Sequence, residues 1–523
     1  MNIKILDCTL RDGGYINDWN FSDNSINIIL SALNSSNIDI IECGYLNNKR
    51  GKEHNTTLFN NISTLNKHVN ILKESKAKKV VMINLGDYNI DELESSDKSY
   101  INGIRLAFHK SDLDKALESS NKIKELGYDV YFQPMITKNY NKIEFLNMIE
   151  KVNMLNPHAF YIVDSFGSMI PKEFEQYITL SNENLNNYIS LGYHSHNNMQ
   201  LAFSNTINMC SMNINRNIII DASIYGIGRG AGNLNTELIS NFLNKSFKKE
   251  YNTLPLLDII DKYLNSLMQK NPWGFSPAQF LSATYDCHPN YATYLINKNT
   301  INILELKEII AKIPKNKKVS YDKIYIENLY MDFILEERMK TKENFSFHQD
   351  KKVLLIASGK SIFNHQNIVI NKVNSDEYIT IALNHKTDFE CDYYFFTNQK
   401  RYDEFKSTLN NKKVILTNNI FSKSDILGVL DFKKLVIKDD IVITNSTILA
   451  INYLIQINRK EVEIAGLDGY IMGQDNYSYD EKIIIMDSKS LDEQNNIIRN
   501  GLSKLSKLIN IKLITPSIFK ENS

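Results

Sequence analysis

Short apolar, β-branched runs alternate with longer amphipathic stretches through the first half of the chain. The runs fall at 3–8, 38–43, 79–84, 103–108, 129–134, 159–164, 189–194 and 218–222, and their length and β-branched content predict buried strands. Between them, 23–35, 112–126, 142–155 and 201–212 place apolar residues at three- and four-residue intervals, which predicts helices with one face on a core. Eight such alternations in roughly 250 residues predict a (β/α)8 barrel. The pattern then changes. Residues 251–342 read as helix-rich, with 256–268, 276–285 and 303–313 the clearest helices, and predict an extension packed on the barrel. A polar stretch at 340–352 reads as a linker, and strand-like runs return at 353–357, 378–383, 392–397, 413–416 and 462–465. The expected architecture is α/β in three parts: a TIM barrel at 1–250, a helical extension at 251–342 and a Rossmann-like domain at 352–523.

Composition narrows the class without naming a function. Lys plus Arg and Asp plus Glu each number 60, the net charge is zero, and no basic block stands out. Nucleic acid is therefore not an expected partner. The five cysteines, Cys8, Cys43, Cys210, Cys287 and Cys391, are isolated and form no Cys-x-x-Cys pair. That usage fits a reducing compartment and argues against a disulfide framework. The opening residues turn polar too soon for a signal peptide, and no apolar run approaches the roughly 20 residues of a membrane span. A cytoplasmic protein is expected.

In a barrel of this kind, chemistry collects at the carboxyl ends of the strands. The polar residues that interrupt or follow the apolar runs fall there. Arg11 and Asp12 follow the first strand, Glu42 closes the second, and Arg105 lies in the fourth. Asp164 closes the sixth, His194 and His196 close the seventh, and Asn233 ends the loop Gly226-Ile227-Gly228-Arg229-Gly230-Ala231-Gly232-Asn233 after the eighth. Histidines two apart on a strand point to the same side. With one carboxylate they suit Mn or Mg, or else Zn or Co, and leave coordination positions for a chelating substrate. A 2-oxo acid offers a carboxylate and a keto oxygen for those positions. A Lewis-acid metal, with Arg11 stabilising the enolate, then permits carbon–carbon bond making or breaking. The glycine run at 228–232 reads equally as a tight turn or as a place where backbone approaches a ligand.

These residues carry a resemblance. Leu6-Asp7-Cys8-Thr9-Leu10-Arg11-Asp12-Gly13-Gly14, Ile41-Glu42, the 192–198 stretch and the 227–233 loop resemble the DRE-TIM metallolyases, a family that includes HMG-CoA lyase, isopropylmalate synthase and 4-hydroxy-2-oxovalerate aldolase. The resemblance spans roughly residues 1–245 and is closest to the pyruvate aldolases. It implies Asp12, His194 and His196 as metal ligands, and Asn233 as a further ligand or substrate contact. It implies Arg11 as the enolate-stabilising arginine and active-site positions for Glu42 and Asp164, with Arg105 as a substrate contact. The aldolases place a histidine base two residues after Arg-Asp-Gly, where this chain has Tyr15. Proton transfer then falls to an activated Tyr15, to Tyr291 or to His288, or the substrate differs.

In the C-terminal part, Val353-Leu354-Leu355-Ile356-Ala357-Ser358-Gly359-Lys360-Ser361 is a strand running into a small-residue turn, a pattern suited to cradling phosphate. With Ile381-Ala382-Leu383-Asn384, Thr444-Asn445-Ser446 and the 462–470 run, it resembles the Rossmann-like core of bacterial CMP-sialic-acid-dependent sialyltransferases. That resemblance implies nucleotide or nucleotide-sugar contacts at Gly359, Ser361, Asn384 and Tyr470, with Tyr477 beside them. It departs from those transferases in having Ala357 at their first glycine and no histidine after His385. The expected activity is a metal-dependent aldolase or lyase joining or splitting a 2-oxo acid and an aldehyde, within sugar or surface-polysaccharide biosynthesis, in an enzyme able to form homo-oligomers. Two alternatives stand beside it: a Claisen-type acyl-CoA transferase on the same barrel, and a glycosyltransferase whose barrel is degenerate.

Overall fold

Eight parallel strands close into a barrel: β1 Ile3–Asp7, β2 Ile40–Leu46, β3 Lys78–Asn84, β4 Gly103–Phe108, β5 Asp129–Pro134, β6 Ala159–Asp164, β7 Ser190–Ser195 and β8 Ile218–Ala222. Each pairs with the next, and β1 pairs with both β2 and β8, so no edge remains. The computed structural model describes residues 2–438, 442–471, 476–478 and 488–520. The alternation read from sequence is the alternation observed. Outward-facing residues such as Ile5, Ile41, Ile104 and Phe160 join the helices in one continuous core. Inward-facing Leu6, Ile40, Val80, Tyr131, Tyr161 and Ile219 fill the barrel itself. Two glycines make room for the tyrosines, since a Cβ on Gly192 would stand 2.5 Å from the Tyr161 ring and one on Gly103 2.7 Å from that of Tyr131.

The same two-residue period carries Glu42, Arg105, Gln133, His194 and Asp221 into the barrel above that apolar layer. β2 departs from regularity between Glu42 and Tyr45, where its register on β3 shifts. Gly44 adopts φ +145° there, and a Cβ would meet Thr57 O at 2.4 Å. The bulge re-aims the strand. Glu42 keeps its inward place, and Tyr45 joins Trp19, Leu58, Met82 and Ala107 in a small apolar cluster.

The chain divides into two compact units, Met1–Thr293 with Ile313–Tyr321, and Tyr294–Lys312 with Asp322–Ser523. The helical stretch expected to pack as one block on the barrel is therefore split. Polar contacts show the cause: Asn302 donates to Asp403 at 3.2 Å, and Arg338 pairs with Glu305 at 2.9 Å, all within the second unit. The stretch read as a linker is also tied down, with Lys342 and Val429 exchanging backbone hydrogen bonds of 2.8 and 2.7 Å.

The second unit holds a seven-stranded parallel sheet: β9 Lys352–Ile356, β10 Tyr378–Leu383, β11 Tyr393–Phe396, β12 Val414–Thr417, β13 Gly428–Leu430, β14 Glu461–Ala465 and β15 Asn510–Leu513. Their order is β13-β12-β11-β10-β9-β14-β15, which fits a Rossmann-like domain. The order reverses between β9 and β14, the place where such sheets open a crevice at their carboxyl ends. No helix among the described residues is long and apolar enough to cross a membrane.

Candidate metal centre

Asp12, His194 and His196 come together at the carboxyl end of the barrel, their ligand atoms all within 4.8 Å of one another. None is more than 4% exposed. His194 is oriented from behind, its Nδ1 lying 2.9 Å from Asp221 Oδ2. With Nδ1–H donating to that carboxylate, the Nε2 lone pair is free to bind a cation. His196 Nδ1 is buried without a hydrogen-bond partner and stands 3.8 Å from Asp12 Oδ2. Asn233 donates from Nδ2 to Asp12 Oδ2 at 2.5 Å and to Ile227 O at 3.1 Å, while its own Oδ1 has no partner.

Charge points the same way. Three buried carboxylates, Asp12, Glu42 and Asp221, face two buried guanidiniums, Arg11 and Arg105. Burial opposes ionisation of Asp12, yet Arg11 and the two imidazoles hold its carboxyl well below the ordinary range. Burial keeps His196 neutral, lowering it to about 3 against the attraction of Asp12. One ionised carboxylate and two imidazoles, buried together, are a ligand set that suits a divalent cation.

Arg11 is tied on two sides. Its Nε donates to Glu42 Oε2 at 2.9 Å and its Nη1 to Asp12 Oδ1 at 2.7 Å, whereas Nη2 is buried with no partner. The glycine loop serves both readings left open by its sequence. Gly230 and Gly232 adopt φ +69° and +81°, and a Cβ on Gly228 would lie 2.3 Å from Asn233 Nδ2 and 2.6 Å from Asp12 Oδ2. The backbone must be bare there to approach the site.

Two expected site residues have other work. Arg105, read as a substrate contact, is fully buried beneath the site. Its Nη1 donates to Glu42 at 2.6 Å and its Nη2 to Asp221, and Gln133 with its amide oxygen turned inward accepts from Nε at 2.6 Å. With no exposed surface, its guanidinium offers nothing to a substrate. Asp164 closes β6 as expected, but its carboxylate accepts from the backbone N–H groups of Ser168 and Met169, each at 3.0 Å. It shapes the loop after β6. Burial pushes it up to about 6 despite those bonds. Asp221 and Gln133, which the sequence did not single out, bond His194 and Arg105 beneath the site. The signal was a single acid in Ile218–Ala222, two residues in register with inward-facing Ile219.

Tyr15 lies 40% exposed at the mouth of the barrel, with its ring 4.6 Å from that of Trp19 and 5.5 Å from the Arg229 guanidinium. It lines a cavity of about 220 Å³ together with Trp19, Tyr45, Arg50, Arg229 and His288. Tyr291 does not reach it. That side chain is fully buried, its hydroxyl 2.9 Å from Lys317 O and Ser320 O.

The expected phosphate cradle of the second unit is already filled from within. Ser361 N–H donates to Asp468 Oδ2 at 2.7 Å, and the Ser361 hydroxyl donates to the other oxygen of the same carboxylate. Gly359 is needed for loop closure, because a Cβ would meet Gly466 O at 2.3 Å. Asn384 is spent on Thr397, accepting from its N–H at 2.9 Å, and the backbone of Tyr470 bonds both ends of the Asn495 amide. Tyr477 packs 6.3 Å from the Tyr470 ring. Among the described residues, the donors of this turn are engaged by an internal carboxylate.

Asp221→Asn is expected to weaken metal affinity about 10–100-fold by loosening His194, read by chelator competition.

Residues 2–261 match the family model described as HMGL-like. Among curated relatives, 4-hydroxy-2-oxovalerate aldolase of Bacillus thuringiensis (strain Al Hakam) is 23% identical over 269 residues, 51% of this chain and 77% of that protein. The enzyme of the same name from Pelotomaculum thermopropionicum is 26% identical over 246 residues, 47% of this chain and 70% of that one. A solved structure, described as the N-terminal domain of a "putative aldolase" from Bacteroides vulgatus, is 30% identical, covers 56% of this chain and 96% of its own, and has a TM-score of 0.48. Through residues 2–261 the N-terminal barrel matches the HMGL-like family and is similar to the 4-hydroxy-2-oxovalerate aldolases.

Proposed function

We propose that the barrel is a divalent-metal-dependent aldolase that joins or splits a 2-oxo acid and an aldehyde through an enolate. The observation that carries this reading is Arg11: a buried guanidinium, fixed by Glu42 and Asp12, with one Nη2 left to donate beside the metal-ligand triad. A divalent cation held by Asp12, His194 and His196 would supply Lewis-acid polarisation of a carbonyl oxygen. The protein's own part is electrostatic. Glu42 holds Arg11 in place, so its charge needs no reorganisation as negative charge develops on the enolate oxygen. Arg105 and Asp221 support that arrangement from below, Arg105 through Glu42 and Asp221 through His194. Trp19, Tyr45 and Phe166 give the cavity beside the site its apolar walls. Of the proton-handling groups that the sequence leaves open, Tyr15 and His288 line the cavity and Tyr291 does not.

The test is exchange of the pyruvate methyl protons in D2O with Mg or Mn, followed by NMR. The wild-type protein is expected to exchange them. Asp12→Ala and His194→Ala should each lower the rate by about 10²-fold or more, the scale of losing electrophilic stabilisation. A metal-loaded wild-type protein that exchanges no 2-oxo acid would overturn the reading.

A further inference from the structure

The loop that approaches the metal site carries a cation without a counter-ion. Arg229 Nη1 lies 3.2 Å from His288 Nε2, Nη2 donates to Ser165 O at 3.1 Å, and Nε is buried with no partner. It makes no ion pair with a carboxylate among the described residues; its remaining contact is the face of Tyr15. A Cβ on its neighbour Gly228 would run into the Asp12–Asn233 pair, which places Arg229 at the edge of the metal site with its guanidinium lining the adjoining cavity. The cavity of about 220 Å³ is lined by Arg229 but by none of the metal ligands or Arg11. Its space therefore serves a second molecule or the far part of a long one.

We propose that Arg229 seats an oxyanion, carboxylate or phosphate, carried by the aldehyde that reacts with the 2-oxo acid. The proposal rests on the aldolase reading and gives its second substrate a chemical class. A guanidinium already held at both Nη atoms is pre-organised, and each Nη keeps a second hydrogen for an incoming oxyanion. The rest of the wall suits a short polar chain: Asn47, Asn84, Asp87 and Ser165 can bond hydroxyls, and Trp19 and Phe166 can cover its carbons. The arrangement also bears on proton transfer. Burial and then the Arg229 charge hold His288 well below the ordinary imidazole range. An anion on Arg229 offsets the second of these causes and leaves the first, burial, in place.

Calorimetry with unreactive probes separates this proposal from the reaction itself. Butyrate, propyl phosphate and neutral butyramide are titrated into the metal-loaded protein and into Arg229→Gln. At least one anion should bind the wild type more tightly than butyramide and lose about 10–100-fold in affinity in Arg229→Gln, the worth of a charge-assisted hydrogen bond. The better anion identifies the group. Anions that bind no better than butyramide, or equally well to Arg229→Gln, would overturn the proposal. Arg229→Gln should likewise raise KM for an anionic aldehyde by more than for its neutral counterpart. An equal rise for both would count against it. If Arg229→Gln instead weakens pyruvate in the methyl-exchange assay and leaves the anionic aldehyde untouched, Arg229 seats the 2-oxo acid and the proposal fails. Wild-type pyruvate exchange tests the aldolase reading independently.

Discussion

Arg11→Lys lowers turnover by about 10²–10³-fold, the loss seen when one donor to a developing oxyanion is removed, although the charge is kept. Lysine is a point charge with no rigid fork. It cannot pair with Glu42 and Asp12 and still hold a third N–H in a fixed direction, which is what the Arg11 guanidinium does through Nε, Nη1 and the unpartnered Nη2. The measurement is the pyruvate exchange rate at saturating metal, with metal affinity determined in parallel by chelator competition. A small loss of affinity is expected, because Asp12 keeps a positive neighbour. An exchange rate within about threefold of wild type, well short of the loss expected for an oxyanion donor, would show that Arg11 only balances the charge of Asp12.

Arg105→Met destabilises the barrel by about 3–5 kcal/mol, the cost of stranding buried charges when one partner is removed. Arg105 sits between Glu42 and Asp221 with no exposed surface, and both carboxylates depend on it. Methionine fills much of the volume, so the loss is electrostatic more than a packing defect. In a unit of this size each kcal/mol shifts Tm by roughly 2–4 °C, so thermal unfolding reads the effect directly. Adding Asp221→Asn to Arg105→Met should cost less than the sum of the two single changes, because one stranded charge disappears. Strict additivity would mean that the pair does not interact as the geometry indicates.

These two predictions concern residues that the sequence handled unequally. The place of Arg11 was legible because it stands next to Asp12 directly after the first strand. Arg105 was equally visible as a charge inside an apolar strand, yet its partners lie 63 and 116 residues away. Without the barrel closed, nothing distinguished a guanidinium that meets substrate from one that braces two carboxylates. Asp164 misled for a related reason. A strand-end carboxylate fits catalysis or loop capping equally well, and only the direction of the Ser168 and Met169 N–H groups separated the two.

In the second unit, Gly359 and Ser361 had the local pattern of a phosphate turn. Asp468, 107 residues from Ser361, supplies the anion instead. Local pattern reports which donors a turn can offer, and it cannot report what fills them. The helical stretch at 251–342 shows the same limit. Its periodicity placed helices correctly, but whether an apolar face joins one core or another depends on long-range partners such as Asp403 for Asn302.

The sequence by itself determined the barrel, the parallel sheet after it and the placing of Asp12, His194 and His196 at the strand ends, because strand period and spacing are local properties of a chain. Tertiary structure alone decided that Asp221 orients His194, that Arg105 is a brace and that Arg229 stands without a counter-ion at a cavity. Each of those depends on which charges meet once distant strands close, and burial then sets the energetic weight of every meeting.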